Sequence, residues 1–260
     1  MSTTDLGALA ESLRSAQELR SPIAPLTTAH PQMTEEDAYE IQWMNAANAL
    51  RSGHRVVGYK IGLTSREAQK HFQVFKPDYG HLFEEMAVGC GGATPREKLI
   101  QPKIEGEIAF VLGRDLQGPG VTAADVLRSI DFVVGSLEII DSRIENWKIK
   151  AADTIADNGS SALFVLGPQR RSIQGLDLAT IGMALSQNGE VMVTASGAAV
   201  MGNPVNAVVV LANELGTRNI GLRAGQVILS GSLGGMITVA KGDSYTAEFL
   251  SLGRVDVSFT

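Results

Sequence analysis

The sequence has very little cysteine, no long apolar run and no excess of positive charge. Its single cysteine, Cys90, excludes an internal disulfide framework and is typical of a protein in a reducing compartment. No apolar run approaches the roughly eighteen residues of a membrane helix, and the polar residues 1–5 precede no signal core. A formal net charge of −6 argues against nucleic acid or an anionic membrane as the main partner. We therefore expect a cytoplasmic protein that binds neither nucleic acid nor membrane.

Two parts of the chain differ in character. In residues 5–20, apolar side chains recur at helical spacing. A second helix is indicated after Thr34, because an acid three residues later is typical of a capping box. From residue 56 onward the sequence has short apolar runs, glycines and turns. We therefore predict an N-terminal helical segment at 1–55 and a larger domain at 56–260.

The apolar run 104–112 carries two acids and is predicted to be a strand. Side chains alternate along a strand, so Glu105 and Glu107 point to the same face, with Gly106 facing the other way. Two buried like charges are costly unless something neutralises them, and a divalent cation with oxygen ligands does so directly. The alternative is a solvated edge strand with two surface acids.

A second acid-bearing strand is predicted at residues 132–141. Glu138 lies in its almost wholly apolar sequence, where an unpaired carboxylate would cost several kcal/mol. A third carboxylate beside the first two would complete a set of ligands on one cation. The alternative is three separate surface acids. Asp141 and Arg143 follow closely and could pair with each other; we interpret them as residues that support the site or the fold.

Three further polar residues are candidates for the site, and each also has an ordinary structural interpretation. Lys60, within the apolar run 56–62, either lies at a sheet edge or points into a polar pocket, and the pattern alone favours the edge. Asp78 belongs to turn-forming residues 76–80 and alone would be a turn residue. Ser160 would need a nearby base to act as a nucleophile, and none of the four histidines has a triad setting.

Six segments together resemble the 2-keto-4-pentenoate hydratases, enzymes of meta-cleavage pathways in the fumarylacetoacetate hydrolase superfamily. These segments are residues 57–65, 98–110, 138–143, 147–150, 156–158 and 228–233. The resemblance implies an α+β protein: a mixed, mostly β roll of the fumarylacetoacetate hydrolase C-terminal type with an N-terminal helical segment. The domain at 56–260 would then be the catalytic one.

The resemblance also implies a site and an assembly. It implies Mg²⁺ or Mn²⁺ held by Glu105, Glu107 and Glu138, and catalysis by Lys60 with Asp78. Candidates for binding the substrate are Lys60, Ser160 and Ser232, although the two serines can equally be turn hydroxyls that face solvent. No redox cofactor is implied. The family is commonly a high-order homo-oligomer, often a decamer.

The implied reaction is addition of water to a 2-hydroxy-2,4-dienoate, giving a 4-hydroxy-2-oxo acid during degradation of aromatic compounds. A sister enzyme, 4-oxalocrotonate decarboxylase, shares the metal ligands, the lysine and the fold. Asp78, which the decarboxylases lack, and residues 144–150 and 230–233 favour the hydratase, whereas Glu145 and Asn146 depart from its closest pattern. A third possibility is a non-catalytic partner of a pathway aldolase or decarboxylase.

Overall fold

The computed structural model describes residues 5–72, 74 and 76–260, so residues 1–4 of the predicted polar start lie outside it. The described part contains seven α-helices: α1 (Leu6–Leu19), α2 (Leu26–Ala29), α3 (Glu35–Arg51), α4 (Arg66–Phe72), α5 (Ala123–Ser129), α6 (Ala151–Ala156) and α7 (Pro204–Gly216). It also contains thirteen strands: β1 (Val56–Gly62), β2 (Asp78–Phe83), β3 (Ala87–Val88), β4 (Gly92–Thr94), β5 (Lys103–Leu112), β6 (Ile130–Ile140), β7 (Ser161–Leu166), β8 (Gly182–Gln187), β9 (Glu190–Ser196), β10 (Val227–Leu229), β11 (Ile237–Thr238), β12 (Ser244–Phe249) and β13 (Gly253–Phe259).

Both predicted N-terminal helices form. α3 begins with the expected capping box, in which Thr34 and Asp37 each accept the other's backbone N–H. The helix then packs on the sheet, where the ring of Tyr39 stacks on that of Tyr79 in β2 with 4.5 Å between centroids. The predicted boundary between residues 55 and 56 falls between α3 and β1. The division into an N-terminal segment at 1–55 and a larger domain at 56–260 stays a prediction. In the structure, α3 packs directly on the sheet of the larger part.

A large mixed sheet forms the centre of the protein, with strand order β2-β1-β10-β5-β6-β7-β3 and with β11 also paired to β5. The long strands β5 and β6 are antiparallel, while β1 and β10 are parallel. Because β5 has neighbours on both sides, the interpretation of residues 104–112 as a solvated edge strand is wrong.

A second, five-stranded sheet, ordered β4-β13-β12-β8-β9, packs on one face of the large sheet. Its hairpin β8-β9 turns at Asn188 and Gly189, which have positive φ of 52° and 84°, as a type I′ turn requires. The two sheets meet where the ring of Phe249 covers Gly135 so closely that a Cβ there would lie 2.5 Å from Cδ2. This close approach explains why a glycine interrupts the apolar sequence of β6.

The opposite face of the large sheet is the interior of a roll. One end of this face is closed by a separate apolar cluster: Leu82, Ala109, Val134, Phe164, Val227 and Leu229. Strand alternation places the side chains of Glu105 and Glu107 on the same face as Ala109, nearer the start of β5. The predicted α+β roll with a helical N-terminal segment is confirmed, and its interior face is apolar at one end and acidic at the other.

Two sequence expectations need correction in the fold. Asp78 is not a turn residue but the first residue of β2, opposite Gly62 of β1; the turn chemistry of Lys76 and Pro77 ends just before it.

The second correction concerns apolar runs: one segment, Gly197–Gly216, is long and apolar enough to cross a membrane by length and composition alone. It contains α7, which is capped by Asn203 and buries these residues in the core: Pro204, Val205, Ala207, Val208, Leu211, Ala212, Leu215 and Gly216. Core helices meet the same criterion, so α7 gives no support for a membrane span.

Candidate metal centre and active site

Three glutamates converge on the interior face of the roll. Glu105 and Glu107 come from β5, and Glu138 lies directly opposite Glu105 on β6. One carboxylate oxygen from each lies within 4.8 Å of the others, and all three residues are buried. The strand alternation and the β5–β6 register together produce this cluster, so the alternative of three separate surface acids is wrong.

The chemistry of this cluster fits a divalent cation. Within the described part of the chain, Glu107 Oε1 and both carboxylate oxygens of Glu138 have no hydrogen-bond partner, while Glu107 Oε2 accepts the N–H of Gly231 at 2.8 Å. Burial and the neighbouring charge of Glu138 raise the pKa of Glu105 to about 7, and the same causes raise the pKa of Glu107 well above its usual value. Buried carboxylate oxygens without donors are the ligands that hard divalent cations take. The three glutamates therefore form a site that can hold such an ion.

Lys60 projects from β1 into the same interior. It is 4 % exposed, and β1 lies between β2 and β10, so the interpretation as a sheet-edge lysine is wrong. Its Nζ donates to the carbonyl of Gly159 at 3.1 Å and lies 3.4 Å from Glu138 Oε2. Burial lowers the pKa of Lys60, but the carboxylates around it, led by Glu138, outweigh that effect and raise the pKa overall. Lys60 is therefore held as an ammonium group beside the three glutamates.

Asp78 lies on the neighbouring strand β2, opposite Gly62 and diagonally adjacent to Lys60. It is 3 % exposed, and its Oδ1 has no hydrogen-bond partner in the described part of the chain. Burial raises the pKa of Asp78, and the charge of Lys60 opposes this shift. Gly62 makes room for the carboxylate, since a Cβ there would lie 2.3 Å from Asp78 Oδ1 and 3.3 Å from Lys60 Nζ. The structure thus brings Asp78 and Lys60 together at one end of the acidic cluster.

The two candidate serines lie on loops next to this cluster. Ser160 is buried, and its hydroxyl donates to Asp157 Oδ2 at 3.3 Å. Ser232 follows Gly231 in the loop that contacts Glu107, and its hydroxyl donates to the carbonyl of Gly234 at 2.7 Å. Burial contradicts the solvent-facing alternative for Ser160, while Ser232 is partly buried.

Asp141 and Arg143 are buried and make structural contacts, but their side chains do not pair with each other. The Asp141 carboxylate accepts the N–H groups of Ile100 and Gln101 at 2.7 and 2.6 Å, and only its backbone carbonyl meets the guanidinium. Arg143 instead forms a buried ion pair with Asp157. Asp157 lies 14 residues further along the chain, in another element, and no spacing pattern indicated this partner.

The sequence predicts a polar turn at residues 157–161 and the structure has one there, but its contacts with the site were not predicted. The Gly159 carbonyl is a direct partner of Lys60, and the Asn158 side chain hydrogen-bonds to the backbone of His81 in β2. The available signal was the Asn-Gly dipeptide, which is typical of tight turns with positive φ. That signal predicts a turn but not which strand the turn contacts.

The fold and the site define a protein built on a rolled, mixed β-sheet with a buried carboxylate site that can hold a divalent cation. Residues 44–259 match the family model of the fumarylacetoacetate (FAA) hydrolase C-terminal region. The chain is 47 % identical to a 2-keto-4-pentenoate hydratase of Paraburkholderia xenovorans (strain LB400), with 96 % of this chain and 93 % of that protein covered. It is 46 % identical to a 2-hydroxyhexa-2,4-dienoate hydratase of Comamonas testosteroni, with 97 % and 95 % covered.

A solved structure, 4-oxalocrotonate decarboxylase from Pseudomonas putida G7 complexed with magnesium and adipate, superposes with a TM-score of 0.96. It is 38 % identical, and the match covers 100 % of this chain and 99 % of that one. The chain belongs to the fumarylacetoacetate hydrolase family and, within it, to the group of the 2-keto-4-pentenoate hydratases.

Proposed function

We propose that this chain is a metal-dependent hydro-lyase that adds water to a 2-hydroxy-2,4-dienoate of the 2-oxo-4-pentenoate type. The product is a 4-hydroxy-2-oxo acid, and the setting is meta-cleavage degradation of aromatic compounds. The observation that carries the proposal is the burial of Lys60 and Asp78 together beside three glutamates. The hydratase names of relatives with 46–47 % identity support the same reaction.

Glu105, Glu107 and Glu138 would hold the cation, which we propose to be Mg²⁺ or Mn²⁺. The bound ion supplies Lewis-acid stabilisation of the negative charge that develops on the 2-oxygen of the substrate. Three carboxylates carry one negative charge more than a divalent ion neutralises, and the ammonium of Lys60 balances it. The ion, the three glutamates and Lys60 would together be neutral, and the Asp78 carboxylate would leave the site with one net negative charge before an anionic substrate enters.

Lys60 and Asp78 would handle the protons of the reaction. Conversion of the dienol to its keto form requires a proton at the far carbon, and hydration requires a water placed at C4. Lys60 carries its proton, so it can donate it or bind the substrate carboxylate as an ammonium. The Asp78 carboxylate has an unpartnered oxygen that can orient and activate the water. Ser160 and Ser232 would supply hydroxyls to the substrate.

Decarboxylation of a 2-oxo-3-hexenedioate is a second candidate, because the 4-oxalocrotonate decarboxylase structure superposes almost completely. Asp78 favours the hydratase: a buried acid is suited to activate water, and loss of CO2 needs no such water. A non-catalytic partner of a pathway complex is the weakest candidate, because burying three acids and a lysine would serve no purpose there.

The assay that tests the proposal offers both substrate types to the Mn²⁺-loaded protein. 2-Hydroxypenta-2,4-dienoate and 2-oxohex-3-enedioate are supplied side by side, and formation of the 4-hydroxy-2-oxo acid and release of CO2 are measured separately. Water addition to the first substrate without CO2 from the second supports the hydratase. CO2 release without water addition would establish the decarboxylase, and no turnover of either would favour the binding partner.

Assembly and location stay predictions at this point. We propose a homo-oligomer, with a decamer as the expected form, and light scattering would then give a mass many times that of the 27.6 kDa chain. A complex with a pathway aldolase or decarboxylase is the proposed partner interaction. A cytoplasmic location without nucleic-acid or membrane binding completes the proposal.

A further inference from the structure

The turn between α6 and β7 has an unusual backbone. Asn158, Gly159 and Ser160 have φ values of 56°, 60° and 54°, so three consecutive residues adopt the left-handed conformation. This conformation brings Cβ close to the backbone, and of the residues with a side chain, asparagine is one of the few that adopt it routinely. Such backbones persist only where surrounding contacts hold them, and they are frequent at functional sites.

Asn158 ties this turn to the strand that carries Asp78. Its Oδ1 accepts the N–H of His81 at 2.7 Å, and its Nδ2 donates to the carbonyl of His81 at 2.9 Å. β2 is the first strand of the sheet order, so the outward backbone groups of His81 have no neighbouring strand to pair with. The amide of Asn158 takes the place of that strand.

The next residue of the turn contacts the catalytic lysine of the proposed reaction. The Gly159 carbonyl accepts from Lys60 Nζ at 3.1 Å. There is little room for this turn to shift, because a Cβ on Gly159 would lie 3.0 Å from Lys60 Cδ and one on Gly80 would lie 2.2 Å from the Asn158 carbonyl oxygen. The turn therefore packs tightly against both β1 and β2.

The two ends of the turn are also anchored. The Asp157 carboxylate accepts the backbone N–H of Arg143 at 3.0 Å in addition to its ion pair with the guanidinium. The Ser160 carbonyl accepts the N–H of Asp141, which directly follows β6, at 2.8 Å. The turn thus connects the strands that carry Lys60, Asp78 and Glu138.

We propose that Asn158 is a positioning residue for the reaction: through its two bonds to His81 it fixes the Gly159 carbonyl, and so the place of Lys60 Nζ relative to the Asp78 carboxylate. The inference rests on the proposed function for its effect on turnover. Its geometric part, the immobilisation of Lys60, stands independently of the substrate.

Asn158→Gly is the direct test, because glycine accepts the left-handed backbone and removes only the amide. Asn219→Gly is the matched control, since Asn219 is an exposed asparagine with a φ of 60° outside the site. We expect kcat per Mn²⁺-loaded site to fall about tenfold or more in Asn158→Gly, with Mn²⁺ affinity unchanged, and Asn219→Gly to match the wild type. Asn158→Asp keeps the oxygen for the His81 N–H and provides a second variant if the glycine variant folds poorly.

A double-mutant cycle with Lys60→Met separates positioning from a general structural effect. If Asn158 acts through Lys60, its substitution lowers kcat in the wild type but adds little in the Lys60→Met background. An equal fold-loss in both backgrounds would overturn the proposal, as would a full kcat per loaded site in Asn158→Gly.

Lysine acetylation followed by mass spectrometry gives a readout that needs no substrate. In the Mn²⁺-loaded proteins, labelling of Lys60 relative to the partly buried Lys103 should rise several-fold in Asn158→Gly and stay at the wild-type ratio in Asn219→Gly. If the wild type fails to hydrate the dienoate, the proposed function is wrong, yet this ratio still decides whether Asn158 holds Lys60. An unchanged ratio in Asn158→Gly rejects the inference.

Discussion

Lys60 Nζ lies 3.4 Å from Glu138 Oε2 although their strands, β1 and β6, are separated by β10 and β5 in the sheet. Strands three steps apart in a flat sheet would be about 14 Å from each other. The contact therefore requires two long side chains that reach inward across a concave face. The curl of the sheet is what joins the lysine to the acidic cluster, and it explains why the site lies inside the roll.

Glu107→Gln tests the metal centre. The amide keeps the shape of the side chain but removes one of three anionic ligands. Replacing a residue that only supports a metal ligand already lowers metal affinity by up to about 100-fold, so loss of a direct ligand should cost more. We therefore expect a folded protein whose Mn²⁺ affinity falls by more than about 100-fold. Calorimetric titration measures the affinity, and Glu248→Gln, at an exposed position on β12, is the control. Wild-type affinity in Glu107→Gln would show that the three glutamates are not the metal site.

The stabilisation that Mn²⁺ provides should depend on pH. The pKa of Glu105 is about 7 in the fold against 4.5 for an ordinary glutamate, so the folded, metal-free protein binds more protons than the unfolded chain between these values. That contribution to stability is present below pH 4.5 and is lost as the pH rises to about 7. Protons also compete with the ion for the carboxylate, so the gain in Tm on adding Mn²⁺ should be larger at pH 8 than at pH 5.5. Groups remote from the site cancel in this difference, and an equal gain at both pH values would contradict it.

Gly62→Ala tests the fit between β1 and β2. The added methyl would lie 2.3 Å from Asp78 Oδ1, so the carboxylate must move, and a misplacement of about 1 Å can cost about 10²-fold in rate. We expect hydration to slow by that order while Mn²⁺ affinity stays normal. Gly182→Ala is the matched strand control, since its Cβ would have no neighbour within 4 Å. A fully active Gly62→Ala protein would indicate that the position of Asp78 is not critical.

Strand periodicity accounts for the part of the site that was predictable. Alternation along residues 104–112 gives the shared face of Glu105 and Glu107, and a charged residue in the apolar run of β6 gives Glu138. The same pattern could not place Lys60, because an apolar strand with one lysine occurs both at sheet edges and in pockets. Only the order of strands, with β1 between β2 and β10, distinguishes the two.

Contacts between distant segments account for what was missed. Arg143 pairs with Asp157 rather than with its sequence neighbour Asp141, and the turn at Asn158 serves β2, nearly eighty residues earlier in the chain. A turn dipeptide predicts local backbone geometry but carries no information about its tertiary partner. The supporting residues of the site therefore depend on the fold, whereas its charged residues were visible in the sequence.

Asp78→Asn is the variant that separates the two steps of the proposed reaction. The amide is isosteric and still fits beside Gly62, but it cannot accept a proton from water, so hydration should fall by about 10²–10⁴-fold, the usual contribution of a general base. Conversion of the dienol to its keto form, followed as loss of dienol absorbance, should persist because Lys60 and the three glutamates are unchanged. The expected result is consumption of the dienol with little 4-hydroxy-2-oxo acid. Normal hydration in Asp78→Asn would remove the water-activating role, and the hydratase would lose its main residue-level support against the decarboxylase.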